Sequence, residues 1–144
     1  MEYGINIDFF LKTLSLAKAA ELIAEAGFTK LDYTPDTTSD AWETEAKEAL
    51  RIFGENGLSV HQTHVPFNRY GKYGDARSHK LCVDRCVAAT EMMGARFMVA
   101  HGDEFDFNGM TFSPEAALDY NHDYFLPYVA RGEKRLQGGL RNGI

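Results

Sequence analysis

The sequence lacks an excess of positive charge. Its 15 Lys and Arg residues are outnumbered by 21 Asp and Glu residues, which gives a formal net charge of −6. An acidic chain is a poor general partner for nucleic acid or for an anionic membrane surface, because both carry negative charge themselves. We therefore expect neither nucleic acid nor a membrane among the partners of this protein.

Long apolar runs are also missing. No stretch approaches the roughly 18 apolar residues of a membrane span, and the first eight residues have neither the basic region nor the apolar core of a signal peptide. The chain has only two cysteines, Cys82 and Cys86, four residues apart in a helical pattern with apolar neighbours. Such cysteines are typical of buried free thiols in a reducing compartment. We expect a cytoplasmic protein.

No glycine-rich phosphate loop of the Rossmann or Walker type follows any predicted strand, which argues against dinucleotide and nucleoside triphosphate binding. What the sequence does contain is a strand followed by a helix, repeated four times at intervals of about 30 residues. Strands that alternate with helices in this way pair in parallel with right-handed crossovers. The fold class is therefore α/β, a parallel (β/α)4 unit, which fits either an open sheet or half of a (β/α)8 barrel.

Local signals mark where the predicted helices begin and end. Thr13 or Ser15 can cap the first helix, Asp40 and Glu43 have the spacing of a capping box for the second, and Ser78 can cap the third. A fourth helix should begin after Ser113 and Pro114 and be kinked or restarted at Pro127. Glycines suited to a left-handed conformation follow the first three helices: Gly27, Gly57 and Gly94.

Two histidines stand at the ends of the third and fourth predicted strands. Alternation places Val60 and Gln62 on the same face as His64, and Phe97 and Val99 on the same face as His101. Both histidines should therefore point the same way from neighbouring strands, at the strand ends where ligands bind in repeated βα folds. Neutral imidazoles there can ligate a divalent ion, hydrogen-bond a sugar hydroxyl, or serve the structure alone.

From Tyr3 to about Val129 the sequence resembles the N-terminal half of the sugar phosphate isomerase/epimerase group. These are the xylose-isomerase-like TIM barrels, which also include the zinc-dependent AP endonucleases. The resemblance lies in three places: His64-Val-Pro-Phe67, Met93-Gly-Ala95 leading into Val99-Ala-His-Gly102, and Asp32 at the tip of the second strand. It implies half of a TIM barrel of the xylose isomerase-like type over residues 1–130, followed by a polar tail over 131–144 that departs from the family pattern.

The same resemblance implies a metal-dependent sugar or sugar-phosphate isomerase or epimerase. Family members hold the metal and the proton-transferring glutamates mainly at the tips of strands five to eight, which have no counterpart in this sequence. We therefore expect a truncated N-terminal half, cut or frame-shifted near Arg131, with little activity alone. One alternative is a non-catalytic half-barrel that self-assembles and binds at most a small polyol. Another is a fragment of an AP-endonuclease-like repair enzyme, which the acidic balance opposes.

The expected ligands are a sugar or sugar phosphate and a divalent metal, which could be Zn, Mn or Mg. In the AP endonucleases the histidines of these motifs bind zinc, whereas in the isomerases they more often line the substrate pocket. Two ligands rarely hold a metal firmly, so His64 and His101 would need Asp103, Glu104 or a second subunit. Arg69 follows the His64 strand and suits a phosphate, although a solvated loop is the alternative. The expected substrate-binding residues are His64, His101, Asp32 and Arg69.

A four-stranded half-barrel would leave its first and last strands with unpaired backbone groups. A twofold axis along the barrel axis would set the fourth strand of each copy beside the first strand of the other and close eight strands. We therefore expect a homodimer through open sheet edges, in which two copies of His64 and His101 could share one metal ion.

Overall fold

A computed structural model describes residues 3–65, 76–102 and 113–141, with side chains left out at 76–78 and 133–141. The described elements follow the predicted alternation of strand and helix. In chain order they are β1 (Gly4–Asn6), a short 3-10 helix (Phe10–Lys12), α1 (Leu16–Glu25), β2 (Lys30–Tyr33), α2 (Trp42–Glu55), β3 (Ser59–His64), α3 (Ala76–Met92), β4 (Phe97–Val99) and α4 (Pro114–Arg141).

The four strands form one sheet in the order β1-β2-β3-β4, and all three neighbouring pairs are parallel. The predicted parallel (β/α)4 arrangement is thus confirmed. The described residues form two compact units: the first holds the sheet with α1, α2 and α3, and the second holds α4. Pro127 lies inside α4, which is a single helix. Within the described ranges, no helix is long and apolar enough to cross a membrane.

The core of the first unit lies between the sheet and its helices. Phe53 of α2 is almost fully buried, and its ring meets Tyr33 of β2 edge to face with 5.3 Å between centroids. Alanines on the inner faces of α1 and α2 let the helices approach the sheet closely. Other members of this core come from every layer: Ile7, Ala19, Ala20, Ile23, Leu31, Ala46, Ala49 and Val60. One face of the sheet is therefore apolar and covered.

Several helix boundaries agree with their sequence signals. The Ser15 hydroxyl accepts a hydrogen bond from the Lys18 backbone N–H at 3.3 Å, so Ser15 is the cap of α1. The glycines expected to end the first three helices have left-handed φ angles, +87° at Gly27, +69° at Gly57 and +64° at Gly94. These are backbone conformations that a residue with a Cβ atom adopts only at a cost.

Two predicted helix caps are wrong. Asp40 does not cap α2, which begins at Trp42 with no side-chain cap. The Asp40 carboxylate lies 3.1 Å from the Arg85 guanidinium of α3. Ser39 takes the local role, since its hydroxyl accepts from the Ala41 N–H at 3.1 Å. Ser78 does not cap α3 either, because that helix already begins at Ala76. In the first case the N-cap position is Ala41, one residue later than the capping-box spacing predicts.

The predicted face of Val60 is also wrong. Leu31 pairs with Val60, but the next residue of β2, Asp32, pairs with Gln62, so His61 is an extra residue that forms a bulge in β3. Val60 therefore faces the core with Leu31, whereas Gln62 and His64 face the other side of the sheet. His61 is exposed, and its ring lies edge-on to Phe97 with 5.4 Å between centroids.

Candidate functional site

Three of the four predicted substrate-binding residues lie together on the face of the sheet opposite the apolar core of the first unit. His64 Nε2 is 3.0 Å from Asp32 Oδ2, and the His64 and His101 rings are stacked with 5.8 Å between centroids and 29° between planes. Asp32 belongs to β2, His64 ends β3, and His101 follows β4. The expectation that the two histidines point the same way from neighbouring strands is confirmed, while their role stays a prediction.

Gln62 is a fourth member of this cluster that was not among the candidate residues. Its Nε2 is 3.3 Å from Asp32 Oδ2 and 3.1 Å from His64 Nε2. The sequence did place Gln62 on the face of His64, so strand alternation was the signal that could have identified it. The bulge preserves that relation because it lies before Gln62.

The tautomer of His64 is assigned from its contact with the Asp32 carboxylate. An ionised carboxylate only accepts hydrogen bonds, so both the Gln62 amide and His64 Nε2–H donate to Asp32 Oδ2. The 3.1 Å approach of Gln62 Nε2 to His64 Nε2 then joins two donors and is not itself a hydrogen bond. In its neutral form His64 then carries its proton on Nε2 and leaves Nδ1 as an acceptor. The Asp32 and His64 side chains are each 24% exposed, so this pair is largely, but not fully, shielded from water.

The second oxygen of Asp32 is in a different state. Asp32 Oδ1 is buried and has no hydrogen-bond partner among the side chains and backbone that the structure describes. A buried unpaired acceptor costs free energy, and such atoms are concentrated where function rather than stability has selected the arrangement. Asp32 thus contacts His64 and Gln62 through Oδ2 alone.

His101 is held in its neutral form more strongly than an ordinary histidine. Partial burial lowers its pKa below the usual 6.5, and the neighbouring His64 lowers the pKa further because two positive imidazoles would repel each other. Each nitrogen of a neutral imidazole can act as donor or acceptor according to the tautomer, and one can ligate a metal. At neutral pH the site therefore combines a carboxylate, an amide and a neutral imidazole around His64.

A metal site is not formed by these residues alone. Within residues 3–65, 76–102 and 113–141, no group of three His, Cys, Asp or Glu side chains could hold a metal ion. Asp103 and Glu104, which were expected to complete such a site, lie outside the described residues, as does Arg69, the candidate for phosphate binding. The metal and the phosphate contact both stay predictions.

A neighbouring polar cluster joins the ends of β1 and β2. Asp8 accepts hydrogen bonds from the Thr34 backbone N–H at 3.1 Å and from the Thr34 hydroxyl at 2.5 Å, while Asn6 accepts one from the Asp8 N–H at 3.0 Å. None of these residues was predicted as part of a site. The cluster ties the two strand tips together and extends the polar face beyond Asp32.

Comparisons with known proteins identify no family for this chain. The scan against family models finds no match to this chain, and the search of curated proteins finds none either.

Proposed function

We propose that this (β/α)4 unit is half of a TIM barrel of the xylose isomerase-like type, and that it supplies the substrate-binding half of a sugar or sugar-phosphate isomerase or epimerase. The single observation that supports this most strongly is the stacked pair of His64 and His101 beside Asp32, at the carboxyl ends of three consecutive parallel strands. Those strand ends are where (β/α)8 enzymes place their active sites.

The chemistry of the cluster suits a polyhydroxylated ligand. Each sugar hydroxyl both donates and accepts a hydrogen bond, so its site needs acceptors and donors side by side. Here the His64 Nδ1 accepts, the Gln62 amide donates and the neutral His101 ring can do either, while Asp32 Oδ2 holds His64 and Gln62 in place. The histidine rings also offer flat faces against the C–H groups of a sugar. We therefore assign these four side chains to a neutral polyol or sugar.

Turnover by this unit alone should be low. Moving a proton between adjacent carbons requires a base, and usually a metal ion that stabilises the enediolate. The carboxylate of Asp32 is already engaged with His64 and Gln62, and so it is poorly placed to act as that base. The proposal is thus ligand binding, with a divalent ion such as Zn, Mn or Mg contributing only if further ligands join the histidines.

The test is an NMR titration of the labelled chain with a ketopentose, a ketohexose, their phosphate esters and an alditol. Binding should shift the backbone amide signals of β2, β3 and β4, and His64→Asn or Asp32→Asn should weaken it about tenfold, since each removes a hydrogen bond to a charged group. His61→Asn is the matched control, because His61 lies on the same strand outside the cluster. The proposal fails if none of the panel binds, or if His61→Asn weakens binding as much as His64→Asn.

Self-assembly is the second candidate, and the sheet edges favour it. In the described sheet β1 pairs only with β2, and β4 pairs only with β3, so each outer strand presents backbone groups along one side. A twofold pairing of β4 with the partner's β1 would continue the parallel order and close eight strands. Such a dimer would bring two His64–His101 pairs to one end of the barrel.

A further inference from the structure

A buried polar cluster between α3 and β3 contacts the last two residues of β3. The Thr63 and Thr90 hydroxyl oxygens are 2.6 Å apart, and Thr90 donates to the Cys86 backbone carbonyl at 2.6 Å. The Cys86 thiol donates in turn to the His64 backbone carbonyl at 3.3 Å. Thr63, Cys86 and Thr90 are all buried.

Every hydrogen bond in this cluster has a fixed direction. Because the single hydroxyl proton of Thr90 is given to the Cys86 carbonyl, Thr63 has to donate to Thr90. Burial raises the pKa of Cys86 to about 12, so its thiol keeps its proton at neutral pH and remains a donor to His64. Together these bonds form one consistent set of donors and acceptors.

The geometry connects the cluster to the candidate site. Thr63 and His64 are consecutive residues, so their side chains leave the strand on opposite faces, Thr63 toward α3 and His64 toward Asp32. One turn of α3 thus contacts both residues from the core side of the sheet: Thr90 bonds to the Thr63 side chain, and Cys86 bonds to the His64 backbone carbonyl. Beyond them the Val65 N–H donates to the Val99 carbonyl at 2.9 Å, which secures the strand end to β4.

We propose that Cys86 and Thr90 are positioning residues for the site: they hold the end of β3 so that the His64 ring meets both Asp32 and His101. That the cluster of His64, Asp32 and His101 binds a ligand rests on the proposed function. The positioning of His64 by Cys86 and Thr90 is a property of the free protein. A merely structural cluster would contribute to stability without controlling the tautomer or the stacking of His64.

The experiment is imidazole NMR on the ligand-free chain, which reports the His64 tautomer through its ring nitrogen shifts and the His64–His101 stacking through cross-relaxation. In the wild type, the Nε2–H tautomer should dominate. Cys86→Ala and Thr90→Val should each lower the ratio of the Nε2–H to the Nδ1–H tautomer about fivefold, the equivalent of one net hydrogen bond. Cys86→Ser and Thr90→Ser keep a donor at the same place and should retain the wild-type pattern.

Val83→Ala is the matched control, because Val83 is a fully buried residue of the same helix. It should reduce stability while leaving the His64 signals as they are. The positioning role is overturned if Cys86→Ala and Thr90→Val leave the tautomer ratio unchanged, or if Val83→Ala changes it equally. Two substituted positions keep the test decisive if one variant does not fold. This measurement uses no ligand. The positioning of His64 could therefore be established even if no sugar binds in the titration.

Discussion

Replacing Arg85 by Met should lower the free energy of unfolding of the first unit by about 3 kcal/mol, because two partly buried backbone carbonyls would lose a charged donor. Arg85 Nη1 lies 3.2 Å from the carbonyl oxygens of both Thr37 and Ser39, in the segment between β2 and α2. Each bond is long for its kind, so we take the low end of the usual range, about 1.5 kcal/mol apiece. Methionine keeps most of the apolar stem and isolates the effect of the guanidinium.

The third contact of Arg85 should contribute nothing measurable. Asp40 is fully exposed, with a side-chain exposure of 101%, whereas that of Arg85 is 18%. An ion pair with one partner in water is screened and entropically costly. Asp40→Ala should therefore leave stability unchanged, although Asp40 is the residue that the sequence marks as a helix cap. The contrast between the two variants separates the backbone contacts from the ion pair.

The assay is urea unfolding followed by fluorescence of Trp42, the only tryptophan, which lies at the start of α2. The midpoint should fall for Arg85→Met at an unchanged m value, which would show that stability and not compactness has changed. Arg85→Lys should fall between wild type and Arg85→Met, since an ammonium group keeps a donor but loses the planar fork. Equal losses for Arg85→Met and Asp40→Ala would refute this reasoning.

The remaining predictions concern the histidines and the assembly. His64→Ala should cost only about 1 kcal/mol, since its pair with Asp32 is partly screened by water; a loss of several kcal/mol in a urea titration would mean that His64 is structural. The lowered pKa of His101 means that the unfolded chain takes up a proton first as pH falls through about 6.5, so stability should decrease from there toward the lower folded pKa. His101→Gln should flatten that dependence in unfolding curves recorded from about pH 7 to 5, and unchanged curves would contradict it. Light scattering at micromolar concentration should detect a homodimer, strengthened by Zn²⁺; a monomer of 16.2 kDa with and without zinc would exclude it.

Much of the architecture follows from patterns that are local in the chain. Gly27, Gly57 and Gly94 could be predicted because a left-handed residue at a helix end is a property of the backbone itself. The proximity of His64 and His101 could be predicted because parallel strands bring their carboxyl ends to one edge whatever the rest of the sequence. Both inferences need only the type and order of the elements.

What could not be predicted depends on contacts between residues distant in sequence. Asp40 and Glu43 have the spacing of a capping box, yet Arg85, 45 residues further on, takes the Asp40 carboxylate. Similarly, strict alternation assigned Val60 to the face of His64, and only the pairing with β2 reveals the extra residue at His61. Asp32 was expected at a strand tip, but its division into one bonded and one unbonded oxygen requires coordinates.

The bulge at His61 interrupts the side-chain alternation of β3 between Val60, which packs in the core, and Gln62, which belongs to the candidate site. With His61 removed, Val60, Gln62, Thr63 and His64 would form one regular alternation, so its loss would turn no other side chain to the opposite face. Removal of Thr63 would instead turn His64 toward α3 and break the cluster with Asp32. A deletion at His61 should therefore preserve the candidate site, whereas a deletion at Thr63 should destroy it. The bulge thus separates the part of β3 that packs in the core from the part that presents the site.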